Sequence, residues 1–264
     1  MGFVKLNDAQ LFYRWDGPEN APVVIFSNSL GTTHEMWNGQ VEAFTKHFRV
    51  LRYDNRGHGQ SSVTPGPYSI EQLGRDVVGL LDAVKLDRVY FCGLSMGGMV
   101  GMYLGANAAS RFHKIVLCST AAMIGTPDTW NARITAVQQG GMKAVAGAVI
   151  ERWLTAGYRA AHPRETSEAL AMLESGDAAG YVASCGAVRD MDFREKLSGV
   201  QAPTLVVSGT HDPVTPPADG RFLESHIRGA KYVELVAAHL CNIEAREEFN
   251  RQVLSFLKSQ GAHG

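Results

Sequence analysis

The sequence predicts an α/β protein, built on a mostly parallel sheet with helices on both faces. Short β-rich runs alternate with helical patterns over residues 22–120, which is typical of such sheets. The alternation stops after Thr120 and returns at Pro203. The chain has 264 residues, of which 45% are hydrophobic, and this is enough to bury one large core.

Eight strands are predicted. Residues 3–6 and 11–15 open the chain, and the second of these runs alternates between apolar and polar side chains. The later runs are mostly apolar, as in strands that are buried on both faces. They are predicted at residues 22–27, 48–53, 88–92, 113–118, 203–209 and 231–236.

Helices are predicted between these strands, at about residues 35–44, 69–84, 98–106 and 243–258. The clearest is the helix 69–84, where Ile70, Leu73 and Val77 begin an apolar series at helical spacing. Ser69 precedes this series and is the expected N-cap, because its hydroxyl can accept a free backbone N–H of the first turn.

The segment 122–197 has helical patterns and no convincing strand. It is predicted to be a helical cap inserted into a core formed by residues 1–121 and 198–264. Trp130, Met142 and Trp153 are expected to exclude water from a pocket between cap and sheet, which would strengthen electrostatic interactions there. At least one of the three is expected to pack only within the cap.

Composition excludes several classes of partner. The formal net charge is -1, so there is no electrostatic reason to expect nucleic acid or an anionic membrane. No apolar run approaches the roughly 20 residues that span a bilayer, and the N-terminus lacks a signal-peptide core. The four cysteines lack metal-type spacing. We therefore expect a cytoplasmic protein without a metal or cofactor, whose oligomeric state the sequence leaves open.

Ser95 is the strongest candidate for a functional residue. It lies in Gly93-Leu94-Ser95-Met96-Gly97, between a predicted strand and a predicted helix. In that context Gly-x-Ser-x-Gly is typical of a nucleophilic serine on a strained turn, at the positive end of the following helix. A glycine-rich turn without function also fits the pattern, because the chain has 28 glycines.

A nucleophilic serine needs a base, and the base needs an orienting acid. Asp212 follows the predicted strand 203–209, and His239 follows the predicted strand 231–236. Catalytic groups gather at the carboxyl edge of such sheets, so Ser95, Asp212 and His239 are the expected triad. Each could alone be an ordinary loop residue. His211, Asp219 and Glu244 are the weaker alternatives.

The negative charge that develops during acyl transfer needs preorganised N–H donors. The backbone of Met96, directly after the serine, is one candidate. The other is Leu30, in the loop Ser27-Asn28-Ser29-Leu30-Gly31-Thr32 after a predicted strand. Gly31 would permit a tight turn there, although an ordinary loop is the alternative.

A polar turn, Asp54-Asn55-Arg56-Gly57-His58-Gly59-Gln60-Ser61-Ser62, follows the predicted strand 48–53. We interpret it as a structural turn held by Asp54, Arg56 and Ser61. A direct catalytic role for His58 is the less favoured interpretation.

The chain resembles the α/β-hydrolase fold family over nearly its whole length. The likeness is carried by residues 53–61, 93–98, His211-Asp212 and His239. Within that family it is most similar to the 3-oxoadipate enol-lactonases of bacterial protocatechuate catabolism. This closer likeness depends on residues 28–32 and 93–99, and on Trp130-Asn131-Ala132-Arg133 with Glu151-Arg152-Trp153. Leu154 departs from the pattern, because an aromatic residue is expected there.

The resemblance implies a serine hydrolase that opens the lactone ring of 3-oxoadipate enol-lactone. Alternatives on the same fold are a carboxylesterase, a cofactor-free perhydrolase, a carbon–carbon bond hydrolase and a non-catalytic receptor. Dehalogenases and epoxide hydrolases are disfavoured, because a resemblance to those enzymes would imply an aspartate at position 95, where this chain has serine.

This substrate carries a carboxylate, and burying an unpaired anion costs several kcal/mol. Arg133 is the expected anchor, because helical spacing places it on one face with Trp130 and its planar fork suits a carboxylate. Trp153 is expected to supply an indole N–H and an apolar wall. Arg152 is the second choice for the anchor.

Overall fold

The computed structural model describes residues 1–259, which contain one sheet of eight strands. The strands are β1 (Gly2–Lys5), β2 (Gln10–Asp16), β3 (Val23–Ser27), β4 (Arg49–Tyr53), β5 (Val89–Leu94), β6 (Phe112–Cys118), β7 (Thr204–Gly209) and β8 (Lys231–Leu235). Their order across the sheet is β1-β2-β4-β3-β5-β6-β7-β8. β2 pairs antiparallel with both β1 and β4, and every other pairing is parallel. The predicted fold class is confirmed.

The helices flank this sheet. They are α1 (Asn38–Phe44), α2 (Ile70–Ala83), α3 (Met96–Asn107), α4 (Pro127–Gly140), α5 (Lys143–Trp153), α6 (Ala156–Ala161), α7 (Pro163–Glu174), α8 (Ala178–Arg189), α9 (Pro217–His226), α10 (Cys241–Glu244) and α11 (Arg246–Lys258). Ser69 Oγ accepts the backbone N–H of Gln72 at 3.1 Å, so the N-cap predicted for α2 is confirmed. None of the helices within residues 1–259 has the length and apolarity needed to cross a membrane.

The prediction of one continuous closing helix, 243–258, was wrong in its start and its continuity. The helical segment begins at Cys241 and is divided at Ala245 into α10 and α11. The buried Asn242 donates its side-chain amide to the Met36 carbonyl oxygen at 2.9 Å, which ties α10 to the segment before α1. Helical periodicity does not reveal this contact, because its acceptor lies on a distant segment of the chain.

The carboxyl ends of the parallel strands meet at one edge of the sheet. The loop 28–32 follows β3, Ser95 follows β5, Asp212 follows β7 and His239 follows β8. The fold therefore places the four candidate segments on neighbouring loops, as is usual for sites in open parallel sheets.

The inserted helices, α4–α8, pack onto this edge. A Cβ on Gly180 of α8 would lie only 2.1 Å from the carbonyl oxygen of Gly57, and a Cβ on Gly31 would lie 2.9 Å from the ring of Tyr181. Contact this close leaves no room for side chains at these glycines. Because the inserted helices pack onto this edge of the sheet, we propose that the chain divides into a core, residues 1–121 and 198–264, and a cap, residues 122–197.

Candidate active site

Ser95 occupies a strained turn between β5 and α3. Its backbone has φ 57° and ψ -114°, a region that a residue with a side chain adopts only when its surroundings impose it. Two hydrogen bonds hold it there. Ser95 N–H donates to the Cys118 carbonyl at 2.9 Å, and Thr120 Oγ1 donates to the Ser95 carbonyl at 2.8 Å. The hydroxyl thus lies at the positive end of α3.

The glycines of the motif permit close approach of the backbone. A Cβ on Gly93 would lie 2.2 Å from the carbonyl oxygen of Gly97, and a Cβ on Gly97 would lie 2.2 Å from that of Ser27. Neither glycine has a positive φ. The motif therefore requires glycine because α3 packs directly against β5 and β3.

Gly97→Ala is expected to destabilise the protein by about 1–3 kcal/mol, because overpacked sites force the backbone to shift. Thermal unfolding measures the effect. Gly147→Ala is the matched control, since Gly147 lies inside α5 and a methyl group there would meet open space. That control should raise the melting temperature slightly, because alanine favours helix. A melting temperature unchanged in Gly97→Ala would contradict the packing argument.

His239 and Asp212 form a buried hydrogen-bonded pair. His239 Nδ1 lies 2.8 Å from Asp212 Oδ2, and the two residues are 2% and 3% exposed. Asp212 also accepts the backbone N–H groups of Val214 and Thr215, at 2.8 and 3.1 Å, and the Thr215 hydroxyl at 2.8 Å. Every partner of this carboxylate is therefore a donor.

These contacts determine the charge of Asp212. Burial opposes ionisation, but the charge and hydrogen bond of His239, with the donors of Thr215, lower the pKa of Asp212 below its usual value. Asp212 is consequently an anion at neutral pH. It can fix the imidazole with the hydrogen on Nδ1, which leaves Nε2 as the basic nitrogen.

The alternative groups have other partners. Asp219 lies in the first turn of α9. Glu244 accepts the backbone N–H groups of Ala238 at 2.9 Å and of Thr155 at 3.2 Å, so it connects the His239 loop to the inserted helices. His211 is exposed. Within residues 1–259, none of these three alternatives bonds to His239, whereas Asp212 does.

Ser95 and His239 line the same small cavity. Within residues 1–259, no hydrogen bond joins Ser95 Oγ to the imidazole. Catalytic hydrogen bonds commonly tighten only when substrate binds, so this absence does not remove Ser95 and His239 as a candidate pair.

The backbone N–H groups of Leu30 and Met96 donate no hydrogen bond within the described part of the chain. Their neighbours are fixed: Gly97 N–H donates to the Asn28 carbonyl at 3.1 Å, and Gly31 has φ 79°. The loop 28–32 is thereby bonded to the start of α3. Two free donors on two adjoining, rigid segments are what an oxyanion hole requires.

Comparisons with known proteins identify the family of the chain. The alpha/beta hydrolase fold family matches residues 22–148. The 3-oxoadipate enol-lactonases 1 and 2 of Acinetobacter baylyi are 41% and 39% identical to the chain, over 92% and 95% of it and 91% and 94% of their own lengths. The crystal structure of the enol-lactonase from Burkholderia xenovorans LB400 has a TM-score of 0.96 and 46% identity, covering 98% of this chain and 100% of that one.

The chain belongs to the alpha/beta hydrolase fold family. It is an enzyme that hydrolyses ester bonds, and the predicted resemblance is confirmed. In this hydrolase the cavity at Ser95 also contains the predicted substrate-binding residues Arg133, Trp130 and Trp153, together with Arg152. Met142 is buried but does not line the cavity. It therefore packs within the inserted helices, as expected for at least one of the three apolar residues.

Two arginines of the hydrolase lack acidic partners. Among residues 1–259, neither Arg133 nor Arg152 forms an ion pair. Arg133 stacks over the Trp130 ring, with its guanidinium carbon 4.6 Å from the ring centroid. Burial and the positive charge of Arg133 lower the pKa of Arg152. A cavity lined by two cations without acidic partners favours an anionic ligand.

The two tryptophans differ in their N–H groups. Trp130 Nε1 donates to the Ile124 carbonyl at 2.6 Å, so it serves as a wall and as the surface under Arg133. Trp153 has no such bond within the described residues, which leaves its indole N–H for a ligand.

Sequence reasoning missed some residues of this site. Thr215 had a signal, because an Asp followed three residues later by Thr commonly forms a local turn through its carboxylate. Tyr181 and Val188 lie seven residues apart on α8, and periodicity places them on one helix face without saying where that face points. The further lining residues that were missed are Ser29, Ile124, Val149 and Val214.

Cavity size would not have identified the site. A larger cavity of about 550 Å³ lies between Pro67, α4 and α8, and no triad residue lines it. The reactive groups, rather than the volume, distinguish the smaller cavity.

Proposed function

We propose that the hydrolase opens the ring of 3-oxoadipate enol-lactone to give 3-oxoadipate, in the catabolism of aromatic compounds. One observation carries the proposal: a single cavity contains Ser95, His239 and two arginines without acidic partners. The serine and histidine suit ester hydrolysis, and the arginines suit a carboxylated substrate. The enol-lactonases that resemble the chain support the same substrate.

The first half of the reaction forms an acyl-enzyme. His239 takes the proton of Ser95, whose Oγ attacks the lactone carbonyl carbon. The N–H groups of Leu30 and Met96 bind the oxyanion. The ring C–O bond then breaks, and the departing enolate, a better leaving group than a simple alkoxide, takes the proton from His239. Asp212 orients the imidazole and stabilises its cation.

The second half releases the product. Water loses a proton to His239 and attacks the acyl carbon, and the Ser95 Oγ leaves with the proton from the imidazole. The product is the enol of 3-oxoadipate, which tautomerises to the ketone. No step needs a metal or an organic cofactor.

The substrate carboxylate takes no part in this chemistry and needs its own partner. Arg133 is the proposed anchor, because its guanidinium is held over Trp130 and presents a planar fork to the cavity. Trp153 supplies an indole N–H and an apolar wall. Arg152 adds a second positive charge nearby.

Arg133→Met is expected to lower kcat/KM for the enol-lactone by about tenfold or more, since a charged hydrogen bond contributes about 1.5–3 kcal/mol. Hydrolysis of neutral p-nitrophenyl acetate should change little. Arg189→Met is the matched control. Arg189 is also an arginine of the inserted helices, but it pairs with Asp190 and does not line the cavity at Ser95. An equal loss on both substrates would mean that Arg133 supports the inserted helices and does not bind the carboxylate.

The substrate itself is tested with the purified wild-type enzyme. We expect kcat/KM for the enol-lactone to lie well above that for p-nitrophenyl acetate. The reverse order would favour a carboxylesterase. Failure of a fluorophosphonate to label Ser95 would favour a non-catalytic receptor. The proposed compartment is the cytoplasm, where thiols stay reduced, and all four cysteines are free.

A further inference from the structure

His58 lies in the polar turn 54–62, outside the proposed triad and oxyanion hole. Its side chain is buried, at 4% exposure, and both ring nitrogens have partners. Nδ1 lies 3.2 Å from the Arg56 carbonyl oxygen, and Nε2 lies 3.0 Å from the backbone nitrogen of Gly31. Because a carbonyl only accepts, Nδ1 carries the hydrogen, and Nε2 presents the lone pair that accepts the Gly31 N–H.

The surroundings keep this imidazole neutral. Burial lowers the pKa of His58, against the opposing effects of the Arg56 carbonyl and of the carboxylates of Asp54 and Asp177. Protonation would turn Nε2 into a donor facing another donor. The bond to Gly31 therefore depends on the neutral ring.

The turn has other contacts that hold its shape. The Asp54 carboxylate accepts the backbone N–H of Gln60 at 2.9 Å, and Ser61 Oγ donates to the Asp54 carbonyl at 2.7 Å. These bonds agree with the predicted structural role of the turn, and neither of them uses the imidazole. What Nε2 holds is a different segment, the loop 28–32.

Gly31 directly follows Leu30, the proposed oxyanion donor. The Gly31 N–H belongs to the Leu30–Gly31 peptide, so its bond to His58 fixes the orientation of the Leu30 backbone. On its other side, Gly31 is in close contact with Leu173 and Tyr181 of the inserted helices. The loop is thus held between His58 and those helices.

We propose that His58 is a positioning residue of the oxyanion hole, which accepts the Gly31 N–H and so directs the Leu30 N–H towards the oxyanion formed at Ser95. It acts through Gly31 and does not contact the substrate. This inference rests on the proposed function only in requiring acyl transfer at Ser95, and not on which ester is the substrate.

Two amide variants separate this role from simple turn stability. In His58→Gln, the Oε1 atom reaches the position of Nε2 and can accept the Gly31 N–H. In His58→Asn, the shorter amide can reach only the Arg56 carbonyl. Both variants are assayed for hydrolysis of p-nitrophenyl acetate. Their affinity for phenylboronic acid is measured as well, because its tetrahedral adduct with Ser95 places an oxygen in the oxyanion hole.

His58→Asn is expected to lower kcat about 10- to 100-fold, because misplacing one oxyanion donor is nearly as harmful as losing it. KM should change little, and the boronic acid should bind correspondingly less tightly. His58→Gln should keep kcat within about threefold of the wild type. Equal kcat values for the two amide variants would overturn the proposal.

His34→Leu is the stability control. His34 is a second buried histidine, bonded to Asp54 of the same turn at 2.8 Å, and it has no bond to Gly31. The two variants are compared at a similar fall in melting temperature. If His34→Leu then lowered kcat and the affinity for the boronic acid as much as His58→Asn does, the loss would reflect turn stability. The proposal would then be wrong. A wild-type protein that hydrolyses no ester would instead overturn the proposed function, and this inference with it.

Discussion

Replacing Ser95 by alanine is expected to lower kcat by about 10⁴-fold or more, on the enol-lactone and on p-nitrophenyl acetate alike. His239→Ala should cause a loss of similar size, because the two residues act as one unit. Without the imidazole the serine hydroxyl stays protonated, and without the hydroxyl the imidazole has nothing to activate for acylation. The double variant should therefore be little worse than either single variant.

The assay is steady-state kinetics on both esters, with labelling by a fluorophosphonate as a second readout. Both single variants should lose labelling. His211→Ala is the matched control, since His211 is an exposed histidine next to Asp212, and it should keep nearly full activity. Near-normal kcat in His239→Ala would remove the proposed base, and additive losses in the double variant would show that the two residues act separately.

Asp212→Asn is expected to lower kcat by about 10⁴-fold, through the tautomer of His239. All four contacts of the Asp212 carboxylate come from donors. The one oxygen of asparagine can satisfy the backbone N–H groups of Val214 and Thr215, which turns the amide nitrogen towards Nδ1. The imidazole then carries its hydrogen on Nε2 and cannot accept the proton of Ser95.

The control for this prediction is Asp219→Asn, which removes a carboxylate close to the same site. Asp219 is close enough for the charge of Asp212 to help burial raise its pKa, yet it has no bond to His239. It should keep kcat within a few-fold. Loss of activity in both variants to the same extent would indicate a general effect of negative charge and not an oriented histidine. Circular dichroism checks that each variant is folded.

Much of the fold was predictable because it depends on local patterns. The apolar runs that became β3, β5, β6 and β7 are buried on both faces, which requires almost unbroken hydrophobic sequence. The N-cap at Ser69 and the elbow at Ser95 depend on residues within a few positions along the chain. Such features are specified by neighbouring residues, so the sequence alone reveals them.

The contacts of the site were less predictable because they join distant segments. The Gly31 bond to His58 spans 27 residues, and the Asn242 bond that ties α10 to Met36 spans 206. Glu244 was considered as an alternative acid, but it accepts the N–H groups of Ala238 and Thr155. Nothing in its local sequence distinguishes those partners from His239.

By itself, the sequence determined the α/β class, the order of the strands along the chain and the candidates for nucleophile, acid and base, because each of these follows from periodicity or from position at a strand end. The tertiary structure alone decided which carboxylate bonds to His239. It also decided that Arg133 and Arg152 share a cavity with Ser95, and that His58 supports the loop of Leu30. The physical reason is that partner choice depends on distance and burial in three dimensions, and helical or strand spacing carries no information about the segment that packs opposite.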